Sequence, residues 1–394
     1  MKPREIKPGI YWVGAIDWDR RLFDALIPLP DGTSYNSYLI KGTEKTALID
    51  TVDPTMQNAL INNLNQLGID NIDYVVANHA EQDHSGTIPQ VLQKYPQAQV
   101  ITNPRCKDML IDLLMIPEER FITVSDKDTI SLGDRTLEFI YTPWVHWPET
   151  MSTYLREVRI LFSCDFFGAH LATTDLYVTD EWQAIEAAKR YYAEIMMPFR
   201  TNIQKDLEKL KDYPIDIIAA SHGPLYDKPA SIMKAYYSWV VDKPKNIVVL
   251  PYVSMHGSTH KMVEYLVDLL AEKGVVVKQF DLPVTDSGNL AMALVDAATV
   301  VFGTPTVLAG AHPSVVYATF LTSALRPKLK FISIIGSYGW GGKAVEQLTT
   351  ILSSLKIEIL EPVLSKGFPK EADFKALDNL ANTIVQKHKE HNFT

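Results

Sequence analysis

Cysteine is nearly absent from this chain of 394 residues, which has only Cys106 and Cys164. Two thiols cannot supply a four-thiolate iron site or a disulfide framework, so both are expected to serve as buried or half-buried apolar packing. Long hydrophobic runs are missing too, and nothing approaches the roughly 20 apolar residues of a membrane span. The opening MKPREIKPGIYWVG carries no apolar stretch of the signal-peptide kind. A cytoplasmic protein with no membrane partner is the expectation. Excess positive charge is lacking as well. The formal net charge of −9 argues against nucleic acid as the main partner, because phosphate binding needs a basic footprint. What remains is an ordinary globular composition, 46% hydrophobic and 22% charged, in a chain long enough for two or three domains with their own cores.

The chain reads as two halves, 1–245 and 246–394. In the first, short β-rich runs alternate with polar loops and a few helices. SYLIKGTEKTALIDT reads as two strands joined by a turn at Gly42-Thr43. IDYVVAN, AQVIT, TLEFIYT, RILFSCD and DIIAASH read as further strands. Helices are expected over TMQNALINNLNQLGI and RCKDMLIDLLM. Past Lys243-Pro244-Lys245, which looks like a linker, a strict strand–helix alternation begins. The strands NIVVLPYV, VVVKQFD, TVVFG, KFISIIG and KIEIL, separated by helices, predict a doubly wound α/β domain with a parallel sheet. The polar tail QKHKEHNFT reads as a frayed helix end.

Histidine is also scarce, ten in all, yet two fall in NHAEQDHSG at 78–86 with two carboxylates between them. Asp, Glu and neutral His are natural ligands of first-row metals. Alternate positions of an extended strand end point the same way, so His79, Glu81 and Asp83 share one direction and His84 begins the turn back. His146, Asp165 and His222 each follow a strand as well, and strand ends converge on one rim of a sheet. A satisfied core or surface imidazole explains any one of these histidines, but not the set.

The spacing His79-x-Glu81-x-Asp83-His84, then 61 residues to His146, 18 to Asp165 and 56 to His222, resembles the diiron motif of flavodiiron proteins, the type A flavoproteins. All seven positions match, and the likeness covers essentially the whole chain. It implies a metallo-β-lactamase-like αββα sandwich followed by a flavodoxin-like domain. It also implies one iron on His79, Glu81 and His146 and a second on Asp83, His84 and His222, with Asp165 bridging. Hydrolases of the same fold usually carry His where this chain has Glu81. A carboxylate there hardens the site and favours iron that cycles between Fe(II) and Fe(III) over zinc.

A redox metal pair needs an electron source. After NIVVLPYV the loop SMHGSTHKM leads into a helix, and hydroxyls and N–H groups at a helix N-terminus bind phosphate. It is neither a Walker loop nor Gly-x-Gly-x-x-Gly. Taken alone it is first read as a plain N-cap. GTPTVLAGAHPS and GSYGWGG follow the third and fourth strands, where the flavodoxin-like strand order places FMN. By resemblance to flavodoxin, Ser254, His256, Gly257, Ser258 and Thr259 hold the phosphate. Thr304, Pro305, Thr306, Ser337, Tyr338, Gly339 and Trp340 line the ring. Trp340 has a competing reading as a packing or dimer-contact residue. His170 reads as a histidine behind the ligands or on the surface. Tyr191 and Tyr192 read as helix-face packing before any hydrogen bond to a metal-bound oxygen.

The resemblance implies an oxidoreductase that reduces O2 to water or NO to N2O at two irons, with electrons relayed by FMN. It further implies a head-to-tail homodimer or dimer of dimers, and a separate electron donor such as rubredoxin or reduced F420. Two competing readings stay open: a two-zinc hydrolase fused to a flavodoxin-like module, and an electron carrier whose metal is only structural.

Overall fold

The computed structural model describes residues 2–393. Two compact units emerge: the chain up to Tyr192 with Phe199–Val240, and Ala193–Pro198 with the chain from Val241 onward. The first holds two facing sheets. One runs in the order Arg4–Lys7, Ile10–Trp12, Tyr38–Lys41, Thr46–Ile49, Tyr74–Val76, Gln99–Thr102, Phe121–Thr123. The other runs Thr129–Ser131, Thr136–Tyr141, Met151–Leu155, Ile160–Cys164, Ile217–Ala220.

Strand periodicity explains why the inner strands read as unbroken apolar runs. Alternate side chains point to opposite faces, and here both faces are covered. Leu39, Leu48, Val75 and Val100 pack under the helices Gln57–Gln66, Ile88–Lys94 and Pro104–Leu114. Their neighbours Tyr38, Ile40, Ala47, Ile49, Val76 and Ile101 meet Phe139, Leu155, Ile160 and Phe162 of the second sheet. Beyond that sheet, Tyr236 of the helix Pro229–Val240 stands edge-on against Phe166 and Phe167. The layers are helix, sheet, sheet, helix.

The second unit is a parallel sheet in the order Val276–Asp281, Lys245–Tyr252, Ala297–Val307, Phe331–Tyr338, then Glu358–Ile359. This is the flavodoxin order, in which the second strand in sequence lies outside the first. The expected last strand is split. Val363–Lys366 pairs with Phe331–Tyr338 beyond the point where Glu358–Ile359 leaves it, and Pro362 between them cannot donate to a ladder. No helix among the described residues is long and apolar enough to cross a membrane.

The tail read as a frayed helix end is helical through Glu390. The helix Glu371–Glu390 lays Leu377, Leu380, Ala381 and Ile384 on the sheet, and His388 is buried. Its Nδ1 meets Asn246 Oδ1 at 2.8 Å and its Nε2 meets Thr299 Oγ1 at 2.7 Å. An amide oxygen only accepts, so Nδ1 carries the proton and Nε2 accepts from the threonine hydroxyl. A second ring proton would have no acceptor unless Thr299 turned. Burial, with His391 nearby, pushes the His388 pKa down to about 4. Since its unfolded value is near 6.5, the unfolded chain binds more protons between those limits. The contribution is therefore whole above about pH 6.5 and is lost as pH falls toward 4. His388→Gln should flatten the pH dependence of unfolding of this unit across that window, measured as Tm against pH beside the parent. Identical slopes would refute this account.

Candidate metal centre

The seven residues singled out in the sequence come together at the strand ends of the first unit. Asp165 directly follows Ile160–Cys164, His222 follows Ile217–Ala220 by two residues, and His79 follows Tyr74–Val76 by three. His146 lies in the loop between Thr136–Tyr141 and Met151–Leu155. Asn78 anchors the first loop. Its backbone N–H and side-chain amide each donate to Asp50 at 2.8 Å, and its Oδ1 accepts from Thr153 Oγ1 at 2.7 Å.

One local expectation fails. His79, Glu81 and Asp83 do not alternate along an extended segment, because Gln82–Ser85 forms one helical turn. His84 N and Ser85 N both donate to Glu81 O, at 3.1 and 2.9 Å. Ser85 Oγ closes the turn back onto Ala80 O. Consecutive residues on a helix diverge by roughly 100°, which lets Asp83 and His84 approach His222 from two sides.

Two clusters result. His79, Glu81, His146 and Asp165 offer ligand atoms all within 4.8 Å of one another, and so do Asp83, His84 and His222. Glu81 Oε2 stands 3.2 Å from His79 Nε2 and 3.0 Å from His146 Nε2. Asp83 Oδ2 stands 3.1 Å from His222 Nε2. Asp165 spans both groups: Oδ2 lies 3.5 and 3.6 Å from His79 and His146, and Oδ1 lies 2.9 and 3.4 Å from His84 and His222.

The donor set fits a pair of metal ions. Both oxygens of Asp83, both oxygens of Asp165 and both ring nitrogens of His84 are buried without a hydrogen-bond partner. His84 Nε2 lies 2.9 Å from Asp165 Oδ1 and 3.3 Å from Asp83 Oδ2 without making a hydrogen bond to either. Such groups cost too much to leave bare, and atoms aimed at a shared point rather than at each other are arranged for an ion. The imidazoles also act as counterions to the carboxylates. Burial works to raise the Asp165 carboxyl, but His84, His222 and His79 hold it well below its usual range. Burial likewise opposes charge on His222, while Asp165 and Asp83 lift it to about 10. Metal binding must displace these protons.

Several contributors escaped the sequence reading. Glu149 Oε1 lies 2.6 Å from His79 Nδ1, and Ser34 O lies 2.6 Å from His222 Nδ1. Both partners only accept, so each Nδ1 carries a proton and each ring turns its Nε2, the nitrogen left to bind a metal once its own proton is displaced, to the cluster. Trp147 stands edge-on to His79 with ring centres 5.0 Å apart. A cavity of about 460 Å³ opens over Glu81 and Asp83, bounded by Arg20, Phe23, Asp24, Asp53 and Trp147. Burial, then Glu81 and Asp83, pushes Asp24 up to about 6. His170 is not a surface residue: its ring is buried 4.7 Å from that of His222, and Nδ1 meets Thr33 Oγ1 at 2.9 Å. Tyr191 is buried 4.8 Å from His170. Burial, Asp165 and Asp83 push its hydroxyl pKa far up. Tyr192 packs with Tyr236 and Trp239.

In the second unit, Ser254, His256, Ser258, Thr259, Pro305, Thr306, Ser337, Tyr338 and Gly339 line a pocket of about 180 Å³, joined by Met255 and Gly367. Gly257 takes φ 87° at the N-cap of the helix Ser258–Glu272, a turn that an L side chain disfavours. Ser254 Oγ accepts from His260 N at 3.1 Å. Thr304 is buried behind the pocket, its hydroxyl accepting from His312 N and donating to Pro305 O. Trp340 is 80% exposed.

Residues 33–223 match the model of the ODP family beta lactamase, and residues 250–378 match that of flavodoxin. The chain is 37% identical over 366 residues to the nitric oxide reductase of Moorella thermoacetica, covering 91% of this chain and 92% of that one. It is 33% identical over 385 residues to the type A flavoprotein fprA of Rhodobacter capsulatus, covering 95% and 88%. The chain belongs to the flavodiiron family, the type A flavoproteins. The solved rubredoxin oxygen:oxidoreductase of Desulfovibrio gigas superposes on it with a TM-score of 0.95 at 30% identity, covering 99% of both chains.

This flavodiiron protein is therefore a two-domain oxidoreductase, with a β-lactamase-like unit carrying the acidic–histidine cluster and a flavodoxin unit carrying the lined pocket. Membership implies a flavin and non-haem iron. The carboxylate at Glu81, beside two imidazoles, accords with that chemistry.

Proposed function

We propose that this flavodiiron protein reduces O2 to water, NO to N2O, or both, at two irons, with FMN as the electron relay. His79, Glu81 and His146 hold one iron; Asp83, His84 and His222 hold the other; Asp165 bridges. The observation that carries this reading is the orientation of Asp165, whose two buried oxygens face different histidine pairs and bond to neither. When bound, the irons offer adjacent coordination positions for a small gas, and the flavin delivers electrons in pairs. The chain itself holds the pair together through Asp165. It fixes the ring tautomers of His79 and His222 through Glu149 and Ser34, and it opens the Glu81–Asp83 face to the cavity.

For the second unit, the phosphate of FMN sits on Ser254, His256, Gly257, Ser258 and Thr259, and the ring lies along Thr304–Thr306 and Ser337–Trp340. The same reading carries a head-to-tail homodimer in the cytoplasm and a separate donor, rubredoxin or reduced F420. Anaerobic reduction with each donor, followed by parallel O2 and NO consumption, tests it. A colourless protein that retains two zinc ions and hydrolyses esters or lactams would overturn it.

Ser258→Asp places a carboxylate at the first residue of the helix Ser258–Glu272, beside the pocket. Unit like charges about 4 Å apart at an effective dielectric near 20 repel by about 4 kcal/mol. FMN affinity should therefore fall at least about 100-fold, while iron content stays at the parent level. Equal flavin retention by variant and parent on dilution would place the phosphate elsewhere.

A further inference from the structure

Glu149 lies outside the seven clustered residues, yet it is a buried carboxylate in contact with one of their rings. The inference drawn from it rests on the iron assignment proposed above. Each half of the cluster has one terminal carboxylate, Glu81 or Asp83, and the halves share Asp165, whose two oxygens divide between them. By charge alone the two halves are matched.

The groups behind the rings break the match. His79 Nδ1 faces a carboxylate oxygen at 2.6 Å, whereas His222 Nδ1 faces a neutral carbonyl at the same distance. His84 Nδ1 has no hydrogen-bond partner. Asp50, another buried carboxylate, accepts with both oxygens from Asn78 and has no hydrogen bond to a ring among the described residues; it acts on His84 only through space, without the direct contact that Glu149 makes. An anion behind an imidazole makes the ring a stronger donor to its metal. We propose that Glu149 is a positioning residue that makes the His79 half the more electron-rich. The iron held there is oxidised first, and the two irons have unequal potentials. No bond forms or breaks; each couple exchanges one electron with its redox partner.

Glu149 also serves the loop, since Oε1 accepts from Ala80 N at 3.1 Å and its backbone oxygen accepts from Asn103. Glu149→Gln separates the two roles. The amide oxygen can keep both Oε1 bonds, the new NH2 falls where Oε2 has no partner, and only the charge is lost. The parent is first assayed for two irons per chain; a parent without them refutes the iron assignment itself, before any variant is made. Parent and E149Q are then titrated with redox mediators and followed by EPR and Mössbauer spectroscopy. In E149Q one couple should shift positive by about ten-fold in its equilibrium constant, about 59 mV for one electron. One iron's Mössbauer signal should change while the other is unmoved. Iron release to a chelator should also quicken for one ion of the two. Both couples unmoved, or both moved equally, would overturn the proposal.

Discussion

Replacing Asp165 with Ala is expected to abolish gas reduction and to deplete bound iron while the protein stays yellow. Asp165 is fully buried, and alone among the seven clustered residues it reaches both halves of the cluster, one oxygen toward His79 and His146 and the other toward His84 and His222. Removing it takes away the anion that offsets repulsion between two cations. It also leaves four imidazoles with two carboxylates instead of three. Loss of a group that merely supports a ligand already costs about 10- to 100-fold in metal affinity or activity. Loss of the shared ligand should exceed the upper end, so turnover should fall by more than about 100-fold. The flavin pocket lies in the other unit and its lining is untouched. Metal analysis, flavin absorbance and NO consumption on one preparation check the prediction. Full iron occupancy with normal turnover would remove Asp165 from the metal site.

Glu81→His should also lower activity, by a different route. Glu81 Oε2 touches both His79 and His146. Although burial works the other way, those two imidazoles hold its carboxyl far below the usual range. The group is an anion in place before any metal arrives. Histidine there removes one negative charge and replaces a hard oxygen with a borderline nitrogen. Fe(III) is then stabilised less, and zinc competes better. The expected result is a larger zinc share in protein loaded from equal iron and zinc, together with about a ten-fold or greater fall in NO and O2 turnover. Slow reoxidation of the flavin by O2 must be subtracted. Unchanged metal preference and unchanged turnover would take Glu81 out of the ligand set.

The seven clustered residues were legible because their signal is one of residue type. Carboxylates and imidazoles at strand ends are rare, and three of the sites follow strands whose apolar runs are themselves legible. Asp83 and His84 were placed correctly but their direction was not. A helical turn of four residues has no periodicity to detect, and it is closed by the Glu81 carbonyl and Ser85 hydroxyl rather than by pattern. In the second unit, Ser258 and Tyr338, grouped by the sequence from loop chemistry, do line one pocket. Thr304 was grouped with them by the sequence, but its hydroxyl turns to its own loop, which only the structure shows.

By itself the sequence determined the layered strand–helix order, the family, and the identity of the groups that converge. Apolar periodicity and residue chemistry are local properties, written one position at a time. Tertiary structure alone decided what stands behind those groups. Glu149 is 70 residues from His79, and Ser34 is 188 from His222. The second contact is made by a backbone carbonyl, which every residue type possesses and no sequence pattern can mark. The unequal surroundings of the two metal-site halves, and the cavity above them, exist only once the two sheets have closed on each other.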